Sequence, residues 1–346
     1  MNFVRKWLKN ARSVSLVQSV MPAVLAVVLA AGSPGFDILM ALLAVVGTGA
    51  AHLAMNLADD YFDYRVDMLG DRDRVERRGF RAMMVKYPYL TDGSETPASL
   101  LRAILCLLGA AGACGLGIFL FRLHQNGFCG PQGCWWIVAI AATAGLLGIF
   151  YSAPPLKLGY RGLGEPVIGI IFGPLLMLGC HYAVAGYVSS EVVWVSAAVG
   201  LLVMNILYTH SFIDIAGDTE SNKMTLARLL GNDRLRLAAV WAINLLPYII
   251  IVAGAVLNRL EPAFVAVLFV LPRSLWLCGS LRDFAKGKTG VPDMPPIILG
   301  VMKGWERYKA MGIDWFMMRW LTSRNVTGSF CLIIIIAKLL SLIFFN

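Results

Sequence analysis

Runs of uncharged, apolar residues about twenty long recur along this chain, and they limit its fold more than any other feature. Nine such runs fall near 14–31, 36–58, 100–121, 134–152, 163–185, 191–212, 236–257, 261–280 and 328–345. About 20 apolar residues in a helix cross the roughly 30 Å hydrocarbon core of a bilayer. The runs are continuous rather than alternating, so they predict helices and not the strands of a transmembrane barrel. With 58% hydrophobic and 15% charged residues, and a mean hydropathy of +0.70, little is left from which to build a soluble domain. The expected fold class is therefore an all-α membrane protein of about nine transmembrane helices. Residues 1–346 form one membrane domain with two cytoplasmic excursions, at about 64–99 and 281–327. The first run follows Arg5, Lys6, Lys9 and Arg12, as a signal peptide would, but it contains Pro22 and lacks a small-residue cleavage pattern. It is expected to be a retained helix.

The net charge of +9 raises nucleic acid as a partner, and the distribution of the charge argues against it. With the N-terminus in the cytoplasm and nine alternating spans, only Arg122, Arg259 and Lys338 of the 30 Lys and Arg residues fall on the outer side. That bias sets the topology expected of a multi-pass protein of the cell inner membrane. The partner implied by composition is the lipid bilayer, and no obligate protein partner is evident. Cys129 and Cys134 share a short Gly/Pro loop placed outside, where either a disulfide or two free thiols is compatible with the sequence. The stretch Trp305–Trp320, with aromatic and basic residues mingled, is expected to lie as a helix in the interface.

Against this background six aspartates stand out. Asp59, Asp60, Asp63 and Asp67 follow the second span, and Asp214 and Asp218 follow the sixth. A carboxylate inside a membrane helix costs roughly 2.5–3.5 kcal/mol on insertion scales, so six of them require a compensating partner. Asp59, Asp63 and Asp67 recur every four residues, as do Asp214 and Asp218, which puts each set on one helical face. Four spans separate the clusters, so the topology brings both to the cytoplasmic rim. Facing carboxylates there would hold hard cations, most plausibly magnesium, and through them a polyphosphate. Asn56 lies one turn before the first cluster; Lys223 and Arg228 follow the second and suit the charge on a departing diphosphate. A cation-coupled transporter also uses intramembrane carboxylates, but typically near mid-bilayer rather than at one basic rim.

Those motifs carry a resemblance. The pattern at 59–67, the Asp-x-x-x-Asp at 214–218 and Lys223-x-Thr225-Leu226-Ala227 resemble the UbiA superfamily of intramembrane prenyltransferases. Three further stretches are similar to the branch that prenylates 1,4-dihydroxy-2-naphthoate in the menaquinone pathway. They are Ala11–Leu16 leading to Pro22, Asn56-Leu57-Ala58, and Leu158–Glu165. The resemblance implies a helical bundle around a central cavity and Mg2+ as cofactor. It also implies transfer of a polyprenyl group from an allylic diphosphate to an aromatic acceptor by electrophilic substitution. Carried over by position, Asp60, Asp63, Asp67, Asp214 and Asp218 are the expected catalytic carboxylates, with Asp59, Asp63, Asp67, Asp214 and Asp218 on metal. Asn56, Asp59, Lys223, Tyr151, Arg161 and His210 are the expected substrate-binding residues. Asp59 stands where the family frequently has asparagine, and His210, Ser211 and Ile213 depart from the usual residues before the second motif. These departures bear on the acceptor, for which 4-hydroxybenzoate, homogentisate, a tetrapyrrole and a glycerol phosphate lipid are the alternatives. The 71–89 stretch is more basic than usual for the family.

Overall fold

The computed structural model describes residues 3–69, 87–220 and 222–344, without the side chains of 3–5, 14 and 66–69. The basic stretch at 71–86, part of the first excursion, lies outside the described residues. Among the described residues, eight helices are long and apolar enough to cross a membrane, and a ninth, shorter one precedes them. In chain order they are α1 (Val17–Ala30), α2 (Ile38–Leu69), α3 (Pro97–Asn126), α4 (Trp135–Ser152) and α5 (Gly164–Ala185). Then follow α6 (Ser190–Ile213), α7 (Asp233–Val256), α8 (Pro262–Ala285) and α9 (Asp314–Phe344). The chain is an all-α, multi-pass membrane protein. Its helix starts are written locally. Thr96 and Ser99 form a capping box at α3, Ser189 caps α6, and Asn232 caps α7. Each cap satisfies a backbone N–H that would otherwise be orphaned at a helix end.

Contacts divide the chain into two units, one of residues 1–156 and 175–188, the other of 157–174 and 189–346. Within the first, α2 and α3 approach closely through small residues: a methyl at Gly47 would lie 2.9 Å from Cys114 Cβ. In a bilayer, where lipid competes equally for apolar surface, such close backbone approach supplies the packing gain. Arg122 is buried in this unit with 1% exposure, because Nε donates to the Ala183 carbonyl (3.0 Å) and an Nη to that of Gly35 (3.3 Å). Helix-end carbonyls thus stand in for the water this cation lacks.

The second unit uses the same two devices. A methyl at Gly200 on α6 would meet the Gly169 carbonyl of α5 at 2.7 Å and Pro174 Cδ at 3.2 Å. Asn205 and Asn244 exchange side-chain amide hydrogen bonds of 2.9 and 3.0 Å between α6 and α7. Tyr248 and Ser274 join α7 to α8 at 2.7 Å, and Thr327 donates from α9 to the Leu202 carbonyl of α6 at 3.1 Å. In the apolar interior each of these pairs avoids an unsatisfied polar group.

The second excursion differs from the sequence expectation. Trp305–Ala310 is a short helix of its own, and α9 begins at Asp314, so Trp315, Phe316 and Trp320 belong to the final membrane helix. Phe316 is 1% exposed, and Trp315 stacks on Phe284 of α8 with centroids 5.9 Å apart. Gly312 in the left-handed region (φ 67°) makes the break between the two helices. The charge of Arg319 hides this in the sequence. Arg319 is buried and spent on the carbonyls of Trp315 (2.6 Å) and Thr289 (3.1 Å). Cys129 and Cys134 are both free thiols, the first exposed and the second buried.

Candidate active site

The first acidic set extends from the end of α2. Asp59, Asp60 and Asp63 follow Asn56 within two turns, and 3.6 residues per turn bring Asn56, Asp59, Asp60 and Asp63 onto one broad face. Their environments separate them. Asp60 is fully buried: Tyr89 Oη donates to Oδ2 at 2.8 Å, and an Arg12 Nη lies 3.1 Å from Oδ1. Asp59 is a third exposed, 3.7 Å from the same guanidinium, and accepts from Ser152 Oγ at 3.3 Å. Asp63 is half-buried, as is Tyr151 beside Ser152 at the end of α4. Asp67 is in the last turn of α2, and its side chain lies outside the described residues.

Arg12 is the organiser of this end; sequence reasoning counted it in the basic start and in the Ala11–Leu16 stretch but gave it no role of its own. It sits in the left-handed region (φ 55°, ψ 48°) ahead of the 3-10 turn Ser13–Leu16. From there an Nη also donates to the Asn56 carbonyl at 2.9 Å. Asn56 answers through Nδ2, donating to the Ala11 carbonyl (3.0 Å) and to Ser15 Oγ (2.9 Å). His52 continues the chain, with Nε2 3.1 Å from Ser15 and Nδ1 2.6 Å from Ser19. Asn56 is thus engaged with backbone and serine, which positions Arg12 over Asp59 and Asp60. Tyr89 was also missed; it follows the 70–86 stretch, and only folding brings it to Asp60. Burial pushes its phenol far above the ordinary value, and the neighbouring Asp60 carboxylate adds to the shift. Nearby, burial would raise Glu95, but the bond and ion pair with Lys6 and the Ser99 hydroxyl hold it below the usual range.

The second acidic set begins where α6 stops. Asp214 is the residue after α6, 7% exposed, and a short helix, Ile215–Glu220, continues from it. Asp218 N–H still donates to the Asp214 carbonyl at 2.9 Å, so the four-residue spacing seen in the sequence keeps a helical register. Asp218 is 1% exposed. Gly217 lies against Asp214: a methyl in its place would force the Asp214 carboxylate to move, since it would lie 3.1 Å from Oδ2. The chain then folds back beneath the pair. Lys223 N–H donates to the Asp218 carbonyl (2.8 Å), and an Arg228 Nη donates to the carbonyls of Asp218 (3.1 Å) and Lys223 (2.6 Å). Arg228 therefore fixes the loop through backbone, while the Lys223 ammonium sits 5.9 Å from the centre of the Tyr160 ring.

The loop singled out at 158–165 is stitched to this turn. Arg161 pairs as an isolated bridge with Met224, Gly162 N–H donates to the Met224 carbonyl at 2.8 Å, and buried Glu165 accepts from Leu226 N–H at 3.2 Å. The Gly162 backbone is left-handed (φ 78°) against Leu229, a place no other residue fits without strain. The structure thus brings Tyr160, Arg161, Lys223, Asp214 and Asp218 into one neighbourhood of the second unit. His210, one turn before Asp214, lies edge-on to Phe316 with centroids 5.2 Å apart.

Magnesium takes few protein ligands, often one or two carboxylates, and completes its octahedron with water and substrate phosphate. Among the described residues no group of three or more His, Cys, Asp and Glu side chains forms a closed cage. Magnesium's demand is for hard carboxylate oxygens, which Asp59 and Asp63 carry in the first set and Asp214 and Asp218 in the second, so the donor chemistry fits magnesium.

Comparison with known proteins decides the family. The model of the UbiA prenyltransferase family matches residues 19–289. The chain belongs to this family. The 1,4-dihydroxy-2-naphthoate octaprenyltransferase of Mycobacterium tuberculosis is 28% identical over 83% of the chain and 89% of its own length. The enzyme of the same name from Escherichia coli is 29% identical over 66% of the chain and 70% of its own length. A UbiA homologue from Archaeoglobus fulgidus, solved with GPP and Mg2+, shares the fold with a TM-score of 0.56 at 14% identity. That alignment covers 94% of this chain and 99% of the other. The protein is thus a UbiA-type prenyltransferase of the membrane.

Proposed function

We propose that this prenyltransferase uses 1,4-dihydroxy-2-naphthoate as acceptor and a polyprenyl diphosphate as donor, with magnesium as cofactor. The observation that carries the donor half is the buried Asp214–Asp218 pair with Lys223 and Arg228 folded against it. The acceptor half is supported by the relatives' activity and by the ordered loop at Tyr160–Gly162.

In this reading Asp59, Asp63 and Asp67 on α2 are one set of carboxylates that would hold magnesium, and Asp214 and Asp218 after α6 are another. When bound, magnesium neutralises the charge that develops on the diphosphate as the allylic C–O bond breaks. Lys223 offers its ammonium to the departing diphosphate oxygens, and Arg228 and Gly162 keep that lysine's loop in place. The aromatic acceptor supplies the electron pair of the new C–C bond. Its carboxylate then leaves as carbon dioxide, returning a pair to the ring. Tyr151, Arg161 and His210 are assigned to the acceptor, with Arg161 suited to its carboxylate. Asp60 has a different task. Enclosed by Arg12 and Tyr89, it is a positioning residue that fixes the end of α2. The positive-inside bias assigns both acidic ends to the cytoplasmic face of the inner membrane.

The deciding experiment incubates purified protein with magnesium, geranylgeranyl diphosphate and each of 1,4-dihydroxy-2-naphthoate, 4-hydroxybenzoate and homogentisate, with products read by mass spectrometry. A decarboxylated, prenylated naphthoquinol is expected. Preference for either other acceptor overturns the acceptor assignment and leaves the family intact. In protein whose exposed Cys106 and Cys129 are replaced by serine, labelling of Glu220→Cys by an impermeant maleimide from the periplasmic side of intact spheroplasts would refute the orientation.

A further inference from the structure

The segment between α8 and α9, residues 286–313, does not lie across the helix ends. It runs back along them. At its turn the Ile298 carbonyl accepts from Arg273 Nε on α8 (2.7 Å), and the carbonyls of Leu299 and Val301 accept from Asn325 Nδ2 on α9 (2.9 and 3.0 Å). An Arg273 Nη donates to the Asn325 carbonyl at 3.0 Å, so the two side chains work at one level. That level is deep. Arg273 precedes the end of α8 by 285 − 273 = 12 residues, about 18 Å of helix, and Asn325 follows the start of α9 by 325 − 314 = 11 residues, about 16 Å.

Two marks place the turn against the bilayer. The rest of α9, 344 − 325 = 19 residues or about 29 Å, is close to a full hydrocarbon thickness. The far end of this unit carries Lys338, paired with Glu191 (3.1 Å) and Glu261 (2.5 Å), only 338 − 325 = 13 residues or about 20 Å beyond Asn325. The turn therefore sits between the hydrocarbon boundary and roughly 10 Å inside it.

Its chemistry agrees with that depth. Met294, Ile297 and Val301 are 78%, 97% and 78% exposed, an apolar ridge that none of the described residues covers. The carbonyls of Pro296, Ile297, Ile298, Leu299 and Val301 each accept from a protein donor, with Leu299 and Gly300 N–H supplying the first two within the turn. Irregular backbone in hydrocarbon needs that internal satisfaction; a turn in water does not. Lys286, Lys288, Lys303 and Lys309 are exposed on the arms, toward the helix ends. Trp305 Nε1 and Lys309 Nζ close the neck on Asp293, at 2.9 Å to its carbonyl and 3.1 Å to its carboxylate. The arms lie on the same end of this unit as the second acidic set, since Phe284 packs on Phe212 and Phe316 on His210.

We infer that residues 286–313 form a re-entrant hairpin whose Met294–Val301 turn inserts among the acyl chains of the leaflet at the Asp214 end, with its lysines on anionic headgroups. The partner is the phospholipid leaflet itself, recognised by hydrocarbon at the tip and phosphate at the arms.

The test is a nitroxide attached at Ile297→Cys, and separately at Glu306→Cys on an arm, in full-length protein whose exposed Cys106 and Cys129 are replaced by serine. Protein is reconstituted into vesicles of phosphatidylethanolamine and phosphatidylglycerol, and relaxation by oxygen is compared with relaxation by a water-soluble nickel chelate. Expected at position 297 is strong relaxation by oxygen and little by nickel, at a depth of about 5–15 Å below the phosphates, with the reverse at 306. Equal nickel access at 297 and 306 overturns the hairpin's insertion. Dipolar broadening at 297 that vanishes on dilution with unlabelled protein also overturns it, because a second copy then covers the ridge. Met294→Cys and Val301→Cys repeat the measurement if the first variant does not fold.

Discussion

Replacing Tyr89 by phenylalanine removes one oxygen and almost nothing else, yet that oxygen holds a carboxylate that no water reaches. Tyr89 is 5% exposed and Asp60 is fully buried, and they meet at 2.8 Å. A hydrogen bond to a charged group contributes about 1.5–3 kcal/mol, so Tyr89→Phe should raise the unfolding constant by roughly 10- to 100-fold. Arg12 remains on the other oxygen, which keeps the loss below the cost of stripping the carboxylate bare. The assay is SDS-induced unfolding followed by thiol labelling, since Cys180, Cys278 and Cys331 are buried until the helices part. Transfer activity measured well below the unfolding midpoint should fall only modestly.

A pH signature accompanies the loss. The folded phenol lies above its ordinary value of about 10, so its contribution is full below pH 10 and declines as the pH climbs toward the folded value. Wild type should therefore lose stability above pH 10 more steeply than Tyr89→Phe. Unchanged stability with collapsed activity would refute the positioning role and move Asp60 into the reaction.

Other substitutions separate scaffold from chemistry. Asp63→Ala and Asp214→Ala should each abolish transfer while the detergent-solubilised protein keeps its unfolding midpoint, and full activity in either would sink the metal assignment. EDTA should silence wild type and magnesium restore it; turnover unaffected by chelation would count against the cofactor. Gly217→Ala pushes a methyl into the Asp214 carboxylate, so activity should drop more than stability does. Gly200→Leu overpacks the contact with Gly169 and Pro174 and should cost about 1–3 kcal/mol in the same unfolding assay.

The membrane fold was legible because the bilayer imposes a length and an apolarity that leave few readings of a run of twenty apolar residues. Both acidic sets were legible for the complementary reason: carboxylates beside such runs, spaced by four, need a partner. What could not be read was the state of charges that folding neutralises. Arg319 looks like a solvated cation in a basic, aromatic stretch, and the bonds that bury it come from the carbonyls of Thr289 and Trp315.

By itself the sequence determined the apolar runs that become membrane helices and the two acidic sets that follow them. These depend on local spacing and on the energy of each side chain in lipid. Only the tertiary structure distinguished Asp60 from Asp59 and Asp63, and turned a presumed surface excursion into a hairpin at membrane depth. Asp60 is set apart by Arg12, 48 residues earlier, and Tyr89, 29 residues later; the hairpin's level is set by Arg273 and Asn325. Those partners are distant in sequence, and neither burial nor depth exists until the chain brings them together.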